Sequence, residues 1–327
     1  MAREQILIVS PASARENNGN WQTASRWARF LRQRYRVAIA PAWTAHEAPP
    51  ALLVALHARR SAASLDAFAR AWPARPRLLV LTGTDLYRDI HQFDSARAAL
   101  QQASALVLLQ PAGLDQLAPA LRARTHVIYQ SAPTLRPFAG TRRHLDVCMV
   151  GHLRAEKDPL TFMRAAPLLR DPRLRLLHIG AALDPALGAA AIATAAVTPR
   201  YHWLGALAHG AARQRLKRCH AMVIASLMEG GANVIIEAVT SGVPVLASDI
   251  GGNRGMLGAD YAGYFAPGDA VALARLIERS AADAPFLALL RAQCAARAAL
   301  FSPQAERAAV CDLVDNLLHT AIHLETE

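Results

Sequence analysis

Lysine is almost absent from this 327-residue chain: Lys157 and Lys217 are the only two, so nearly all of its 36 basic residues are arginine. Aromatic residues are scarce at 6%, cysteines number four, and no Asp-x-Asp occurs anywhere. A nucleic-acid surface would gather its cations into a dense stripe with interleaved aromatics. Here the arginines are dispersed, and no nucleic-acid partner is expected. The formal charge of +11 fits a compositional bias towards arginine. It equally fits attraction of small anions, since the guanidinium matches phosphate geometry. Cys148, Cys219, Cys294 and Cys311 form no Cys-x-x-Cys pair and read as small core or helix residues of a reducing compartment. The longest Ala-rich run, from Ala186 to Val197, falls short of the about 20 residues that cross a bilayer. The opening "MAREQILIVSPASAR" has a four-residue apolar core and no signal-peptide pattern. A cytoplasmic protein without stable membrane insertion is expected.

With 53% apolar and 19% charged residues, the chain is globular, and its length predicts two domains. Short apolar runs alternate with helix-period stretches from end to end. "QILIVS", "RVAIA", "LLVALH", "LLVLTG", "ALVLLQ" and "HVIYQ" read as strands of a first parallel sheet covered on both faces. "SAPTLRPFAGTRRH", residues 131 to 144, breaks the pattern with two prolines and a glycine and reads as a linker. Alternation restarts with "LDVCMVG", "LRLLHIG", "YHWLG", "AMVIAS" and "VPVLAS". Asp158 before Pro159 predicts a helix start, a capping side chain followed by proline at the first helical position. A last helix begins at Ser302-Pro303. The expectation is α/β: two Rossmann-like doubly wound parallel-sheet domains facing a cleft, residues 1–135 and 136–301. The final helix, 302–327, is expected to pack back toward the N-terminal domain.

The stretch "MEGGANVIIEA", residues 228 to 238, carries two glutamates eight positions apart around two glycines. It lies in the crossover from "AMVIAS" to "VPVLAS", where α/β proteins hold ligands. A helix starting near Ala232 would leave the backbone N–H groups of its first turn facing a ligand, and Gly230 and Gly231 would let that backbone come close. Glu237 would share a helix face with Asn233 and could accept two hydrogen bonds from a vicinal diol such as a ribose.

On these residues and on the following "GVPVLASDIGG", the chain resembles the retaining glycosyltransferases of the GT-B fold, the large group 1, family 4 class. The resemblance implies that Glu229 with Gly230, Gly231, Ala232 and Asn233 holds the donor sugar, and that Glu237 holds the nucleotide ribose. In "GHLRAEKDP" it implies that Arg154 and Lys157 face the donor diphosphate, where cations stabilise the departing charge. The family's aromatic-glycine pair is Gly231-Ala232 here, and His152 stands where an arginine is usual. In the N-terminal half, "ENNGNWQTA" puts Gly19 and Asn20, the donor-side candidates, at a strand-to-helix turn where the family often has Gly-Gly close to the donor phosphates or the acceptor. His57 ends a strand and reads either as a catalytic group at the sheet's mouth or as a structural histidine. Missing Asp-x-Asp, the chain is expected to need no metal and no cofactor.

Further matches in "VALHARRSA", "LTGTDLYRD", "VIYQSA", "GHLRAEKDP", "WLGAL" and "MEGGANV" make the chain similar to the selenosugar synthases of selenoneine biosynthesis. That resemblance implies an N-terminal acceptor-side domain and a C-terminal nucleotide-sugar domain. The reaction it implies is transfer from a UDP-sugar, UDP-GlcNAc or UDP-Glc, to selenophosphate. Candidate acceptor residues are Arg15, Arg59, Arg60, Thr84, Asp85 and Arg88. The alternative is a family glycosyltransferase acting on a hydroxyl of a glycan or lipid. Trp21, Trp27 and Phe30 beside arginines would suit a membrane-lipid acceptor.

Overall fold

A computed structural model describes residues 3–13, 18–45, 48–138 and 143–325. Six parallel strands build the first sheet: β1 (Gln5–Val9), β2 (Arg36–Ala40), β3 (Leu52–Leu56), β4 (Arg77–Leu81), β5 (Ala105–Leu108) and β6 (Thr125–Val127). Their order is β2-β1-β3-β4-β5-β6, with Ile6 facing Val37 on one side and Leu52 on the other. Apart from Gln5 and Arg77 at their starts, the central runs β1, β3, β4 and β5 are apolar because both faces are covered. Leu7, Val9, Leu53, Leu79 and Leu106 pack on one side with the helices Ala62–Ala71 and Asp94–Gln102. Ile6, Ile8, Leu52, Val54 and Val107 pack on the other with Trp27 and Leu31 of the helix Gly19–Leu31 and Val310 and Val314 of the helix Pro303–Glu325.

The second sheet holds β7 (Leu145–Val150), β8 (Leu174–Ile179), β9 (Tyr201–Trp203), β10 (Ala221–Ile224), β11 (Val245–Ser248) and β12 (Tyr264–Phe265), in the order β12-β11-β10-β7-β8-β9. This is the doubly wound order whose topological switch lies between its first and fourth strands, here β7 and β10. In the first sheet the switch lies between β1 and β3. The two-residue β12 closes one edge of the second sheet, and the helices Gly251–Leu257, Ala270–Ala282 and Ala284–Arg297 add to its cover. None of these is visible as a strand–helix alternation, because the strand is too short for periodicity to register.

The chain divides into two units: Met1–Gln130 with Glu229–Gly231 and Ser302–Glu327, and Ser131–Met228 with Ala232–Phe301. The linker start belongs to the second unit, where Leu135 donates its N–H to the carbonyl of Thr240 at 3.0 Å. Within the first unit the carboxylate of Glu306 is buried and accepts from the Trp27 indole at 2.9 Å and the Arg26 guanidinium at 2.7 Å. Trp27 is wholly buried. The aromatic helix that would have suited a lipid surface therefore spends Trp27 on the core, and Phe30 packs against it.

By length and mean hydropathy (1.2), residues 284–320 could cross a bilayer. They form two helices parted by a 3-10 turn and by Ser302-Pro303. Phe286, Leu290 and Cys294 are buried in one, Val310, Leu313 and Val314 in the other.

His178 on β8 is fully buried between the rings of Phe162 and Tyr201, its Nδ1 2.8 Å from the Tyr201 hydroxyl. Burial lowers its pKa to about 4. The folded protein thus holds the imidazole neutral, while the unfolded chain takes up a proton near pH 6.5. Stability should fall as the pH drops from about 6.5 to about 4, and no further on this account, by about 3 kcal/mol in all. The expected measurement is a urea midpoint that declines across this window and declines less in His178→Leu.

Candidate functional site

In the second unit, both stretches singled out in the sequence follow the strands at the switch point. After β7, residues 151–158 form a loop tied to the end of β8: Leu153 donates to the carbonyl of Ala181 at 2.8 Å, and the Ala181 N–H donates to His152 Nδ1 at 3.0 Å. A Cβ on Gly180, whose φ is +159°, would lie 1.9 Å from the carbonyl oxygen of Gly151, so only glycine allows these strand ends to meet. Arg154 is exposed at the start of a single 3-10 turn, Ala155–Lys157, and Lys157 lies along Gly151. They precede the helix rather than sit on it. Their charges, after burial, help push the His152 imidazole below its usual pKa, so the neutral histidine is a hydrogen-bond acceptor beside two cations. Asp158 caps the helix Pro159–Ala165 through the Thr161 N–H at 3.3 Å, as the Asp-Pro pair predicts.

After β10 the chain passes through 229–231 into the helix Asn233–Val239. Ala232 is its N-cap, without a capping side chain, and is buried. Asn233 is half-buried. Glu237 is buried, with Oε1 2.6 Å from Nε2 of His209. Arg213, one turn beyond His209 in the helix His209–Leu216, is buried too and donates to the carbonyl of Pro133 at 2.8 Å. Neither His209 nor Arg213 stands out in the sequence, because nothing local links them to a glutamate more than 20 positions away.

In the first unit the glycines of 229–231 have a reason beyond closeness to a ligand. A Cβ on Gly230 would come within 2.5 Å of the Thr82 backbone, and one on Gly231 within 2.5 Å of Leu109. The loop lies on the ends of β4 and β5, and Glu229 is buried there. Of the predicted acceptor residues, Thr84, Asp85 and Arg88 follow β4, and Arg59 and Arg60 follow its neighbour β3. Asp85 is fully buried and faces inward: Oδ1 accepts from the N–H groups of Thr82 (2.9 Å) and Gly83 (2.8 Å), and Oδ2 from that of Ala58 (2.9 Å). Its carboxylate is committed to backbone, which corrects the expectation that it touches an acceptor.

His57, buried with φ +73°, has Nε2 3.2 Å from the Thr84 hydroxyl, and its Nδ1 accepts from the Arg60 N–H at 3.4 Å. Burial outweighs the attraction of Asp85 and lowers its pKa, so it is neutral near pH 7 with both nitrogens engaged. Asp85–Asp89 winds as a π-helical turn, a feature frequent at functional sites, and half-buries Thr84 and Arg88. The buried Asp89 carboxylate accepts from Arg88 Nε at 3.0 Å and lies 4.0 Å from Arg59, whose guanidinium stacks 3.7 Å over the Phe93 ring. Arg60 is exposed. Gly19 and Asn20 open the helix Gly19–Leu31, where the Asn18 side chain accepts from the N–H groups of Asn20 and Trp21. Two of that end's donors are thereby occupied. Arg15 lies outside the described residues.

Among the described residues no group of three or more His, Cys, Asp or Glu side chains is placed to hold a metal ion. All four cysteines are free and buried. Contact with Cys219 and burial push the Cys148 thiol up, and burial raises Cys294 and Cys311, so these three thiols are protonated core groups.

Residues 144–283 match the family of group 1 glycosyl transferases. Over 55 residues, 17% of this chain and 14% of the other protein's length, the sequence is 47% identical to protein CapJ of Staphylococcus aureus. Across the whole chain the likeness is structural. HepE of Anabaena in complex with UDP-glucose superposes with a TM-score of 0.76 at 17% identity, over 96% of this chain and all of that one. Sucrose-phosphate synthase of Thermosynechococcus elongatus gives 0.74 at 17% identity, over 97% and 100%. The pneumococcal O-GlcNAc transferase GtfA with UDP and GlcNAc gives 0.66 at 16% identity, over 82% of this chain and 57% of that one. With its two doubly wound parallel sheets, the chain has the two-domain GT-B fold.

Asp85 is the residue on which the first unit's strand ends depend. Asp85→Ala would leave three buried N–H groups without an acceptor, each worth about 1–3 kcal/mol. A loss of more than about 3 kcal/mol is expected in urea unfolding, and Asp85→Asn should recover only part of it, since an amide presents a donor to one of these N–H groups.

Proposed function

We propose that this protein is a glycosyltransferase that moves a sugar from a UDP-sugar, UDP-GlcNAc or UDP-Glc, to selenophosphate, forming a selenosugar as in selenoneine biosynthesis. The observation that carries the donor half is the placing of two chemically different groups at one switch point. A cationic loop, Arg154 and Lys157, follows β7, and a buried carboxylate, Glu237, stands on the helix after β10. A nucleotide diphosphate needs both, cations for its phosphates and a carboxylate for its ribose hydroxyls. On this reading Lys157 and Arg154 take up the negative charge that develops on the diphosphate as the sugar–oxygen bond breaks. Glu229, with Gly230, Gly231, Ala232 and Asn233, holds the sugar. The positive field comes from side chains, so no divalent metal is required.

The acceptor half is supported by the chemistry around His57. A hydroxyl acceptor needs a base poised to take its proton, within hydrogen-bond reach. His57, buried with both nitrogens engaged, is a poor base and a good structural support. Around it stand Thr84 and the guanidinium groups of Arg59, Arg60 and Arg88, which suit an acceptor that arrives already anionic. Selenophosphate is such a nucleophile: its selenium attacks the anomeric carbon without first losing a proton.

Glu237→Ala should weaken UDP binding by about ten- to a hundredfold, the loss of about 1.5–3 kcal/mol of charge-assisted hydrogen bonding. Lys157→Ala should instead lower turnover more than donor affinity. Unchanged UDP titrations in folded Glu237→Ala would reject the ribose assignment.

The acceptor assay supplies UDP-sugar with selenophosphate, thiophosphate or simple alcohols, in EDTA, and follows UDP release and product mass. Transfer to selenophosphate that survives chelation is expected. Transfer to alcohols alone would leave a hydroxyl-acceptor enzyme, and a rate that returned only with magnesium or manganese would reject the metal-free site.

A further inference from the structure

The Glu237 carboxylate is not equally available at its two oxygens. Oε1 is taken by His209 Nε2 at 2.6 Å, whereas Oε2 has no hydrogen-bond partner among the described residues. An ionised carboxylate only accepts, so Nε2 carries the proton of this contact. The imidazole belongs to the first residue of the helix His209–Leu216, and its side chain is 45% exposed, against 9% for Glu237. It is a surface group reaching to a buried one.

Arg213 lies one turn further along that helix and is more than nine-tenths buried. Burial lowers the guanidinium's pKa, and the Glu237 carboxylate offsets part of that lowering, which marks an electrostatic interaction between them. Yet Arg213 makes its hydrogen bond to the Pro133 carbonyl, and its buried Nε–H has no partner among the described residues. A buried arginine and glutamate left to themselves would close into a bidentate pair. Here the arginine balances the charge from a distance, and the carboxylate keeps one oxygen open.

We propose that His209 is a positioning residue for the donor. By holding Oε1 it fixes the plane of the Glu237 carboxylate and leaves Oε2 for a ribose hydroxyl, while Arg213, held on the Pro133 carbonyl, does not close over that oxygen. This inference rests on the donor reading above and deepens it. A ribose lacking a hydroxyl forfeits the bond that the arrangement exists to make. His209 therefore acts on discrimination between ribose and deoxyribose more than on nucleotide affinity as a whole.

The test is calorimetric titration of the full-length protein with UDP and with 2′-deoxy-UDP. Wild type should prefer UDP by about tenfold, the value of one charge-assisted hydrogen bond. In His209→Ala the carboxylate is free to turn, and the preference should fall to about twofold or less. His209→Gln, whose amide N–H can still reach Oε1, should restore most of it. A general weakening of the fold would lower both affinities and leave their ratio untouched, and that outcome would overturn the proposal. So would tighter UDP binding in His209→Ala, since it would make His209 a plug that ligand must displace. Failure of the wild type to bind UDP would overturn the donor reading itself, and the role of His209 with it.

Discussion

One buried carboxylate holds the first unit's strand ends in the form the candidate site needs. Asp85 has no solvent exposure and accepts three backbone N–H groups, one from the residues after β3 and two from those after β4. These amides lie past the last ladder bonds of their strands and would otherwise be buried donors without partners. With them fixed, His57 keeps its left-handed backbone, a costly conformation for a residue with a Cβ, and its ring is carried to Thr84. The Thr82–Gly83 backbone is also held flat enough for Gly230 to lie on it at a distance no side chain would permit. The exposed cations nearby, Arg59 and Arg60, stand on a frame that Asp85 built.

The second unit solves a related problem with glycine and cations. Gly180 lets the ends of β7 and β8 meet, and the loop after β7 carries Arg154 and Lys157 just beyond the sheet's switch point. Across the switch, the carboxylate of Glu237 stands in a largely buried place beside a histidine bonded to one of its oxygens and a buried guanidinium. Burying a charge is costly unless hydrogen bonds and opposite charge offset it. The arrangement offsets it only in part from within, which leaves an accepting oxygen for something outside the protein.

Chemistry that works at nearest neighbours was legible before any coordinates. Asp158-Pro159 opens its helix because a capping side chain and a fixed φ act within four residues. The alternation of apolar runs read as two parallel sheets because strands covered on both faces have no polar alternation to show. The pair Glu229 and Glu237 was visible as unusual because carboxylates seldom sit beside glycines and inside an apolar run. Less legible were residues whose type misleads. Trp27 and Phe30 beside arginines look like a membrane face, yet they pack into the core, with the indole bonded to Glu306, 279 positions away. Asp85, in a stretch of unusually polar residues, looks like a ligand contact and is instead wholly inward.

What the sequence by itself determined is therefore periodicity and local stereochemistry: two doubly wound sheets, their crossovers, their caps, and the glycines where chain must turn. Only the tertiary structure decided which polar groups are spent and which remain open. That Asp85 also takes the N–H of Ala58 and that His57 meets Thr84, each pair 27 positions apart, and that Glu237 shares one oxygen with His209, 28 positions away, follow from approaches between distant residues. Such contacts depend on the order of strands in the sheet, and the pattern of apolar runs is the same whichever order the strands take.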